Sequence, residues 1–461
     1  MSFPAYPEYK DSGVEWVGEI PAHWQVDPFF AHLRERRVTN SRLAETNLLS
    51  LSYGRLVRKD IDRAEGLLPE SYETYQIIEK DDLILRLTDL QNDQRSLRCA
   101  IATERGIISP AYVAVTPIAL SARYAHYLLR SYDLVKVFYS MGGGLRQTMK
   151  FSDLKWLPLL NPPTSEQEQI TQFLDRETAH IDALTAEQQR LIELLKEKRQ
   201  AVISHAVTKG LDPDAPMKDS GVEWLGKVPE HWSVLAIKWL SVVQRGASPR
   251  PIDDEAYFDE NGEHAWVRIS DVTASDGILK TTSQTLSRLG SSLSVRLEPD
   301  SLFLSMAGSV GKPCITKIKA CIHDGFVYFP ELRVDSRFLY YIFSSGLCFE
   351  GLGNIGTQLN LNTDIVGSIR IALPPHDEIN GIVEHIEQAI SDYDHSIAEA
   401  ERLIALLQER RSALISAAVT GKIDVRDWQP QDSVSEDEAP AVAASNASEG
   451  VLEVARVKPV A

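Results

Sequence analysis

Two loops combine glycine with amide and basic side chains, a combination suited to binding a nucleic acid. Residues 142–150 read GGGLRQTMK and residues 353–362 read GNIGTQLNLN. A glycine run lets the backbone approach a ligand closely. Arginine and amide side chains hydrogen-bond to base edges, while hydroxyl and basic groups also contact phosphates. The alternative is a solvated loop that caps a helix. The candidate DNA-contacting residues of these loops are Arg146, Gln147, Thr148, Lys150, Gln358 and Asn360.

Four further loops carry basic or amide side chains, but each is equally compatible with an ordinary surface loop. They read YGRLVRK (53–59), QNDQRSLR (91–98), QRGASPRP (244–251) and SVGK (309–312). Proline stiffens the third loop, and glycine opens the fourth. The candidate DNA-contacting residues in these loops are Arg55, Arg58, Lys59, Gln94, Arg95, Arg98, Arg245, Ser248, Arg250 and Lys312.

Two sequences resemble catalytic motifs but lack residues that those motifs need. LNPPT (160–164) resembles the NPP(Y/F) loop of amino-methyltransferases, yet Thr164 stands where an aromatic residue stacks on the substrate base. GSVGKP (308–313) has the wrong spacing for a phosphate-binding loop, and Pro313 replaces the Ser or Thr that would hold magnesium. The duplicated histidines, His23 and His231, have no second candidate ligand at metal-ligand spacing in the sequence. We therefore expect no catalytic residue, no metal and no cofactor.

The charge distribution leaves nucleic-acid binding open, although the net charge is -17. Residues 25–160 hold 19 Lys and Arg against 16 Asp and Glu, and most of the excess acid lies in the helical segments and the C-terminal tail. The four cysteines form no CxxC pair, which predicts free thiols in a reducing cytoplasm. No apolar run reaches the roughly 18 residues of a membrane span.

The chain is an internal duplication. Residues 10–26, KDSGVEWVGEIPAHWQV, match residues 218–234, KDSGVEWLGKVPEHWSV, at 12 of 17 positions. Residues 196–212 and 408–424 match at nine of 17 positions, at nearly the same offset. Between these segments the halves diverge, which favours two related domains that bind two different targets. The repeated tryptophans are expected to pack or to contact a partner subunit; they are Trp16, Trp24, Trp224 and Trp232.

Two long helices are predicted, each starting after a proline pair and ending at a glycine. Residues 165–208 carry apolar residues at alternating spacings of three and four, and Glu168 is expected to complete the N-terminal cap. At 1.5 Å per residue this helix is about 65 Å long. Residues 377–419 repeat the pattern. The helices are expected to pair antiparallel, the alternative being that each packs on its own domain. The seam residues of the first helix are Ile170, Leu174, Ile181, Leu184, Leu191, Leu195 and Val202.

The large segments between the repeats are predicted to be α+β. Short β-rich runs such as LILRL, AYVAV, SLFLSM and FVYF are separated by turn residues, without regular βαβ alternation, which disfavours a doubly wound sheet. The last residues are acidic, rich in Ala and Ser, and predicted to be disordered.

With these motifs in place, residues 7–425 resemble the DNA specificity subunit of type I restriction-modification systems. The resemblance rests on the doubled GVEW-x-G-x-(I/V)P-x-HW signature, the proline turn that opens each long helix, and the doubled helix ends KEKRQAVISHAVTKG and QERRSALISAAVTGK. It implies two tandem target recognition domains, two long antiparallel coiled-coil helices and a pseudo-two-fold duplication. Each domain would read one half of a bipartite DNA site.

The resemblance also implies partners and a segmentation. The subunit would be non-catalytic, would bind double-stranded DNA, two adenine-methyltransferase subunits and motor-nuclease subunits, and would use its helices as a spacer. A coiled-coil scaffold without nucleic acid, or a single-chain methyltransferase or nuclease, remain alternatives. The expected segments are 1–24 (N-terminal segment), 25–162 (recognition domain), 163–212 (spacer helix), 213–232 (repeat of the N-terminal segment), 233–374 (recognition domain), 375–425 (spacer helix) and 426–461 (disordered tail).

Overall fold

The computed structural model divides the chain into two compact units. The first unit comprises Met1–Ala183 with Leu407–Ala461, and the second comprises Leu184–Leu406. Each unit therefore contains part of both long helices. The residues that the structure describes are 3–61, 71–93, 96–141, 148–306, 308, 310–350, 352 and 361–429.

The first unit is α+β, as the sequence predicts. Its strands are β1 Tyr9–Asp11, β2 Glu19–Pro21, β3 Gln25–Pro28, β4 Leu33–Glu35, β5 Leu48–Ser52, β6 Arg55–Lys59, β7 Gln76–Ile78, β8 Leu83–Leu85, β9 Cys99–Ile101, β10 Gly106–Ile108, β11 Val113–Pro117 and β12 Pro158–Asn161. Its helices are α1 Phe29–His32, α2 Ala122–Leu134, α3 Val137–Met141, α4 Phe151–Leu154 and the start of α5 Thr164–Lys209.

The second unit is also α+β, with a different set of strands between its repeated segments. Its strands are β13 Met217–Asp219, β14 Lys227–Pro229, β15 Ser233–Ala236, β16 Gln244–Arg245, β17 His264–Val267, β18 Ile278–Leu279, β19 Gln284–Leu286, β20 Val295–Leu297, β21 Leu302–Ser305, β22 Pro313–Thr316, β23 Ala320–Ile322, β24 Phe326–Tyr328 and β25 Arg370–Leu373. Its helices are α6 Ile269–Ala274, α7 Arg288–Ser292, α8 Ser336–Ser344, α9 Thr363–Ser368 and the start of α10 His376–Val419.

The segment between the repeats of each unit, predicted above as a recognition domain, contains two sheets, and all of these sheets are mixed except the antiparallel sheet β4-β11-β8-β9. In the first unit their orders are β6-β5-β10-β7 and β4-β11-β8-β9; in the second they are β16-β24-β21-β22-β18 and β19-β17-β23-β20. Central strands such as β8 (LIL) and β21 (LFLS) are buried along their whole length, because both of their faces are covered. This accounts for apolar runs that lack the alternation of a half-exposed strand.

A frame built from the repeated sequences holds each recognition domain. The hairpins β1–β2 and β13–β14 have the same register, with Lys10 opposite Ile20 and Lys218 opposite Val228. The strands on either side of each recognition domain pair with each other, β3 with β12 and β15 with β25. The two chain segments that lead into and out of each domain therefore lie side by side.

A glutamate at the start of each long helix ties the frame together. In the first unit Glu166 accepts hydrogen bonds from the Trp24 indole (2.9 Å) and the Tyr6 hydroxyl (3.2 Å), and it lies 2.5 Å from His23 Nε2. In the second unit Glu378 accepts from the Trp232 indole at 3.1 Å. Because Trp24, Tyr6 and Glu166 are all buried, each polar group depends on the others for a partner.

The glycines that end the long helices pack against the same tryptophans. Gly421 follows α10 and Gly210 follows α5, with φ of +71° and +76°. This left-handed conformation is the usual C-terminal cap of a helix. A Cβ at Gly421 would overlap Pro21, and one at Gly210 would lie 3.1 Å from Trp232. Each tryptophan therefore joins the start of one long helix to the end of the other within its own unit.

The long helices run in opposite directions beside each other within each unit. In the first unit Asp182 of α5 accepts from Arg411 of α10 at 3.0 Å. In the second unit Arg199 of α5 lies 3.3 Å from Asp394 of α10. Within each unit the start of one helix and the end of the other meet at Trp24 or Trp232, and the ion pair joins residues further along both helices. Residue numbers therefore rise along one helix as they fall along the other, and the predicted antiparallel pairing is confirmed.

The predicted helix bounds hold to within a residue or two, and one seam residue was wrong. Leu191 is 42% exposed, whereas its neighbour Ile192 is 8% exposed. A helix of 3.6 residues per turn drifts relative to a repeat of 3.5, so the buried stripe moves on by one residue over several turns. Ile203, next to the predicted Val202, is buried for the same reason.

Residues just beyond α10 also pack on the first unit. The Trp428 ring lies 5.3 Å from Phe173 in an edge-to-face contact, and the Trp428 carbonyl accepts from Gln169 Nε2 at 2.6 Å. The Asp424 amide donates to the Pro4 carbonyl at 2.8 Å. Packed structure therefore extends past the predicted boundary at residue 425, while residues 430–461 lie outside the described part.

The glutamate contact predicts a large cost for one substitution and a small cost for its neighbour. Glu166→Ala leaves the buried indole and hydroxyl donors of Trp24 and Tyr6 without an acceptor, at about 1–3 kcal/mol per donor. Glu168→Ala is the matched control, because Glu168 is exposed. Denaturant unfolding followed by circular dichroism measures both free energies. Equal losses in the two variants would show that the carboxylate does not hold the frame.

Candidate nucleic-acid interface

Six of the candidate residues lie outside the described part of the chain. They are Gln94, Arg95, Arg146, Gln147, Gln358 and Asn360. Their assignment to DNA contacts stays a prediction.

The C-terminal ends of the two glycine loops are held in place next to short helices. Met149 is buried and its amide donates to the Leu87 carbonyl at 2.9 Å, so Thr148 and Lys150 on either side of it are exposed. In the second unit the Asn362 side chain accepts from the Ile365 amide at 2.8 Å and caps α9. Each loop therefore leads directly into a helix whose start is fixed, α4 or α9.

The β5–β6 hairpin carries three exposed basic residues, two of which are paired with acids. Arg55 lies 3.3 Å from Asp182 of α5, and Arg58 forms an ion pair with Glu104. The hydrogen bond from Arg58 lowers the pKa of the Glu104 carboxyl. Lys59, at the end of β6, is exposed. A phosphate would have to displace the two carboxylates to engage Arg55 and Arg58.

Arg98 is a structural residue, so its prediction as a DNA contact was wrong. Its side chain is 0% exposed. The guanidinium donates to the Thr88 carbonyl at 3.0 Å, to the Asp93 carbonyl, and to the Tyr139 hydroxyl at 3.2 Å. Sequence alone shows a basic residue beside a turn. It does not show that the turn folds over the guanidinium and uses its donors to satisfy backbone carbonyls.

Asp324 binds three side chains of the basic loop (244–251) in the second unit. Ser248 donates to one carboxylate oxygen at 3.0 Å and Arg250 to the other at 3.1 Å, while Arg245 donates to the Asp324 carbonyl. Partial burial acts to raise the pKa of the Asp324 carboxyl, but these hydrogen bonds and positive charges outweigh it and lower that pKa. The three predicted residues Arg245, Ser248 and Arg250 thus form one cluster at the end of β16 and in the loop that follows it, and all three bind Asp324.

Lys312 is half-buried and fully engaged within its own domain. Its ammonium donates to the Thr273 carbonyl at 3.0 Å and to the Ser275 carbonyl at 3.1 Å. These bonds join the turn before β22 to the end of α6. Lys312 therefore positions a loop in this structure, and a phosphate contact would require these bonds to break.

The four tryptophans predicted to pack or to contact a partner divide into core and surface residues. Trp24 and Trp232 are 0% and 1% exposed, so the packing prediction is confirmed for both, and they are buried away from any partner. Trp224 packs partly buried against the core of the second unit. Trp16 is half-exposed and makes an edge contact with Tyr132 at 5.9 Å. Of the four, Trp16 remains available to a partner.

Sequence reasoning missed the acids that organise these clusters. Glu166 and Glu378 each stand three residues after the second proline of a proline pair, at the repeat offset, which was a usable signal. Asp324 had no such signal, because its arginine partners lie more than seventy residues away. Among the described residues no group of His, Cys, Asp and Glu could hold a metal ion. Within the same part of the chain, none of the helices is long and apolar enough to cross a membrane.

Comparisons with known proteins agree with the resemblance inferred from the repeats. The chain is 24% identical over 224 residues to the specificity subunit of the type I restriction enzyme EcoKI from Escherichia coli strain K12, a match covering 45% of this chain and 47% of that subunit. It is 18% identical over 344 residues to the EcoDI specificity subunit of Escherichia coli, covering 69% and 73%. The match to the EcoKI subunit thus spans about half of that subunit's length. No protein-family model matches.

A solved structure shares the fold. A chain from a study of complex assembly and conformational transition in a type I restriction-modification system matches with a TM-score of 0.67, at 14% identity, over 87% of this chain and 98% of the other. The comparisons confirm the similarity to specificity subunits and the α+β fold with tandem domains and long paired helices.

The burial of Arg98 gives a direct test of its role. Arg98→Ala leaves buried carbonyls without donors, and we expect the free energy of unfolding to fall by about 3 kcal/mol. The exposed Arg58→Ala is the control and should stay within about 0.5 kcal/mol of wild type. Thermal and denaturant unfolding measure both. If Arg98→Ala proved as stable as Arg58→Ala, the buried network described above would not exist in solution.

Proposed function

We propose that this chain is the non-catalytic DNA specificity subunit of a type I restriction-modification complex. Each recognition domain reads one half of a bipartite site in double-stranded DNA. The long helices set the spacing of the two halves and dock two adenine-methyltransferase subunits, and motor-nuclease subunits join them for cleavage. The complex works in the cytoplasm, where its DNA lies.

The observation that carries this proposal is the contrast between the frame and what it holds. The frame repeats closely, with the same hairpin register and the same tryptophan–glutamate contact in both units. The sheets within it differ in strand number and order. Two closely similar frames that hold unlike sheets suit two readers of different DNA sequences that bind the same kind of partner.

The placement of basic side chains is compatible with this role. Exposed basic residues lie at the end of the glycine loop (Lys150), on the β5–β6 hairpin (Lys59), and at and after the end of β16 (Arg245 and Arg250). Several are held by acids of the same domain, so binding exchanges one carboxylate for a phosphate. Phosphates that these side chains neutralise release bound counterions, so we expect DNA affinity to fall as salt rises.

The structure argues against a single-chain methyltransferase. Asn161 of the NPP sequence lies in β12, where its amide donates to Asp27 at 2.8 Å, and Gln167 donates to its oxygen at 3.3 Å. Pro162 is buried and leads into α5. The motif therefore forms a strand-to-helix turn whose polar groups are already used. A scaffold that binds no nucleic acid leaves the two different sheets without a role.

Mapping of N6-methyladenine tests the function. The chain is co-expressed with the methyltransferase gene beside its own in a host lacking both, and the methylated sites are sequenced genome-wide. We expect one bipartite motif with a fixed gap. Replacing residues 233–373 with those of another recognition domain should change one half of the motif and leave the other half and the gap unchanged.

Lengthening the helices tests whether they set the gap between the two half-motifs. Matched insertions in the exposed parts of α5 and α10 should change the gap and leave both half-motifs unchanged. Substitution of exposed helix residues without insertion is the control. A stable complex that methylates no defined motif would overturn sequence recognition by this chain.

A further inference from the structure

Each unit exposes a tryptophan beside a lysine at the same end of its frame. Trp156 is 69% exposed in the first unit, and Trp239 is 70% exposed in the second. The indole has a large apolar ring system and an N–H donor, so its burial at an interface contributes more binding free energy than burial of most side chains. Both residues lie next to the strand pair that leads into and out of a recognition domain, β3–β12 or β15–β25, which we call the ribbon.

The two tryptophans lie beside backbone hydrogen bonds that are equivalent in the two units, although the tryptophans themselves are not at equivalent positions. The Phe29 amide donates to the Leu157 carbonyl at 2.9 Å just beyond the β3–β12 ribbon. The Ile237 amide donates to the Ile369 carbonyl at 2.9 Å just beyond β15–β25. These pairs correspond under the repeat offsets. Trp156 adjoins the first pair and Trp239 adjoins the second.

The chemistry of the sites is alike, although different positions supply it. In the first unit the rings of Phe30 and Trp156 meet edge to face at 5.0 Å, and Lys155 Nζ lies 5.5 Å from each ring centroid. In the second unit Lys238 Nζ lies 5.8 Å from the Trp239 ring. We call these sites the aromatic–lysine patches. Each offers an apolar ring face with a positive charge at its edge.

Each patch also lies next to a predicted DNA-reading loop. In the first unit only α4 separates Lys150, at the end of the glycine loop, from the patch residue Lys155. In the second unit α9 follows the glycine loop, and Gly367 of α9 faces Lys238 closely enough that a Cβ would touch it. A protein that binds a patch would therefore lie beside the glycine loop that is predicted to contact DNA bases.

We propose that the two aromatic–lysine patches dock two copies of one protein partner, the methyltransferase subunit, through a surface that presents a carboxylate next to apolar side chains. This inference rests on the proposed function and extends it by adding a methyltransferase contact outside the long helices. A sequence reader should differ between the halves, whereas these patches keep the same character in both. Intact duplex DNA also keeps its bases stacked and offers no exposed ring to an indole. An exposed tryptophan with a flanking cation is a typical anchor of a protein interface.

The test measures assembly of the full chain with the co-expressed methyltransferase. Trp156→Ala should weaken one of the two binding sites by about 10- to 30-fold and Trp239→Ala the other, as expected for the loss of an interface anchor. The double variant should lose both copies at concentrations where wild type holds two. Native mass spectrometry counts the copies, and sedimentation measures the affinities. Tyr53→Ala is the control, because Tyr53 is 78% exposed but lies on the β5–β6 hairpin.

Charge variants and DNA binding separate the remaining outcomes. Lys155→Glu should weaken binding at the same site as Trp156→Ala does. Lys155→Arg keeps the positive charge and should bind the methyltransferase as wild type does. Tryptophan variants that assemble like wild type would overturn this inference while leaving the proposed function intact. Unchanged assembly with weaker DNA binding by the chain alone would assign the patches to DNA and overturn it as well. A wild-type chain that binds no methyltransferase would overturn the proposed function and this inference together.

Discussion

The structure depends on a buried carboxylate that accepts a hydrogen bond from a tryptophan indole. Glu166 stands in the first turn of α5, where the positive end of the helix dipole favours an acid. By holding Trp24, it fixes the hairpin–ribbon segment against the start of one long helix, and the tryptophan in turn packs against the end of the other. Burial and the adjacent carboxylate raise the pKa of Tyr6 well above its usual range, so its hydroxyl stays a donor to Glu166. Glu378 and Trp232 repeat the contact in the second unit.

Because this contact lies outside the sheets, the sheets are free to differ. The frame requires only that a domain begin and end at paired strands. The loops, charges and strand order inside it can then differ between the units without changing the frame. This explains why the repeats are evident at the level of sequence while the segments between them share little beyond a few apolar runs.

Sequence reasoning worked where the physical cause is local or periodic. The duplication, the long helices, their pairing and the α+β domains all follow from residue spacing. It failed where the cause is a contact between distant segments. Arg98 resembles a binding residue in the sequence, and Trp24 fits either packing or a partner contact, because only the fold shows that carbonyls surround the first and that a carboxylate binds the second. Leu191 was misassigned because a heptad rule drifts on a helix of more than 40 residues. Trp156 and Trp239 could have been noted, but their exposure depends on which ribbon edge each of them borders.

The separation between the partners of the frame contact bears on the order in which each unit folds. Trp24 and Glu166 are 142 residues apart in the chain, and Trp232 and Glu378 are 146 apart. Joining such distant residues across an unfolded segment carries a large loss of chain entropy before any contact compensates for it. Once the intervening domain has folded, its two ends already lie side by side and most of that loss has been met. The frame should therefore close last, so that a long helix is anchored only over a recognition domain that has already reached its native state.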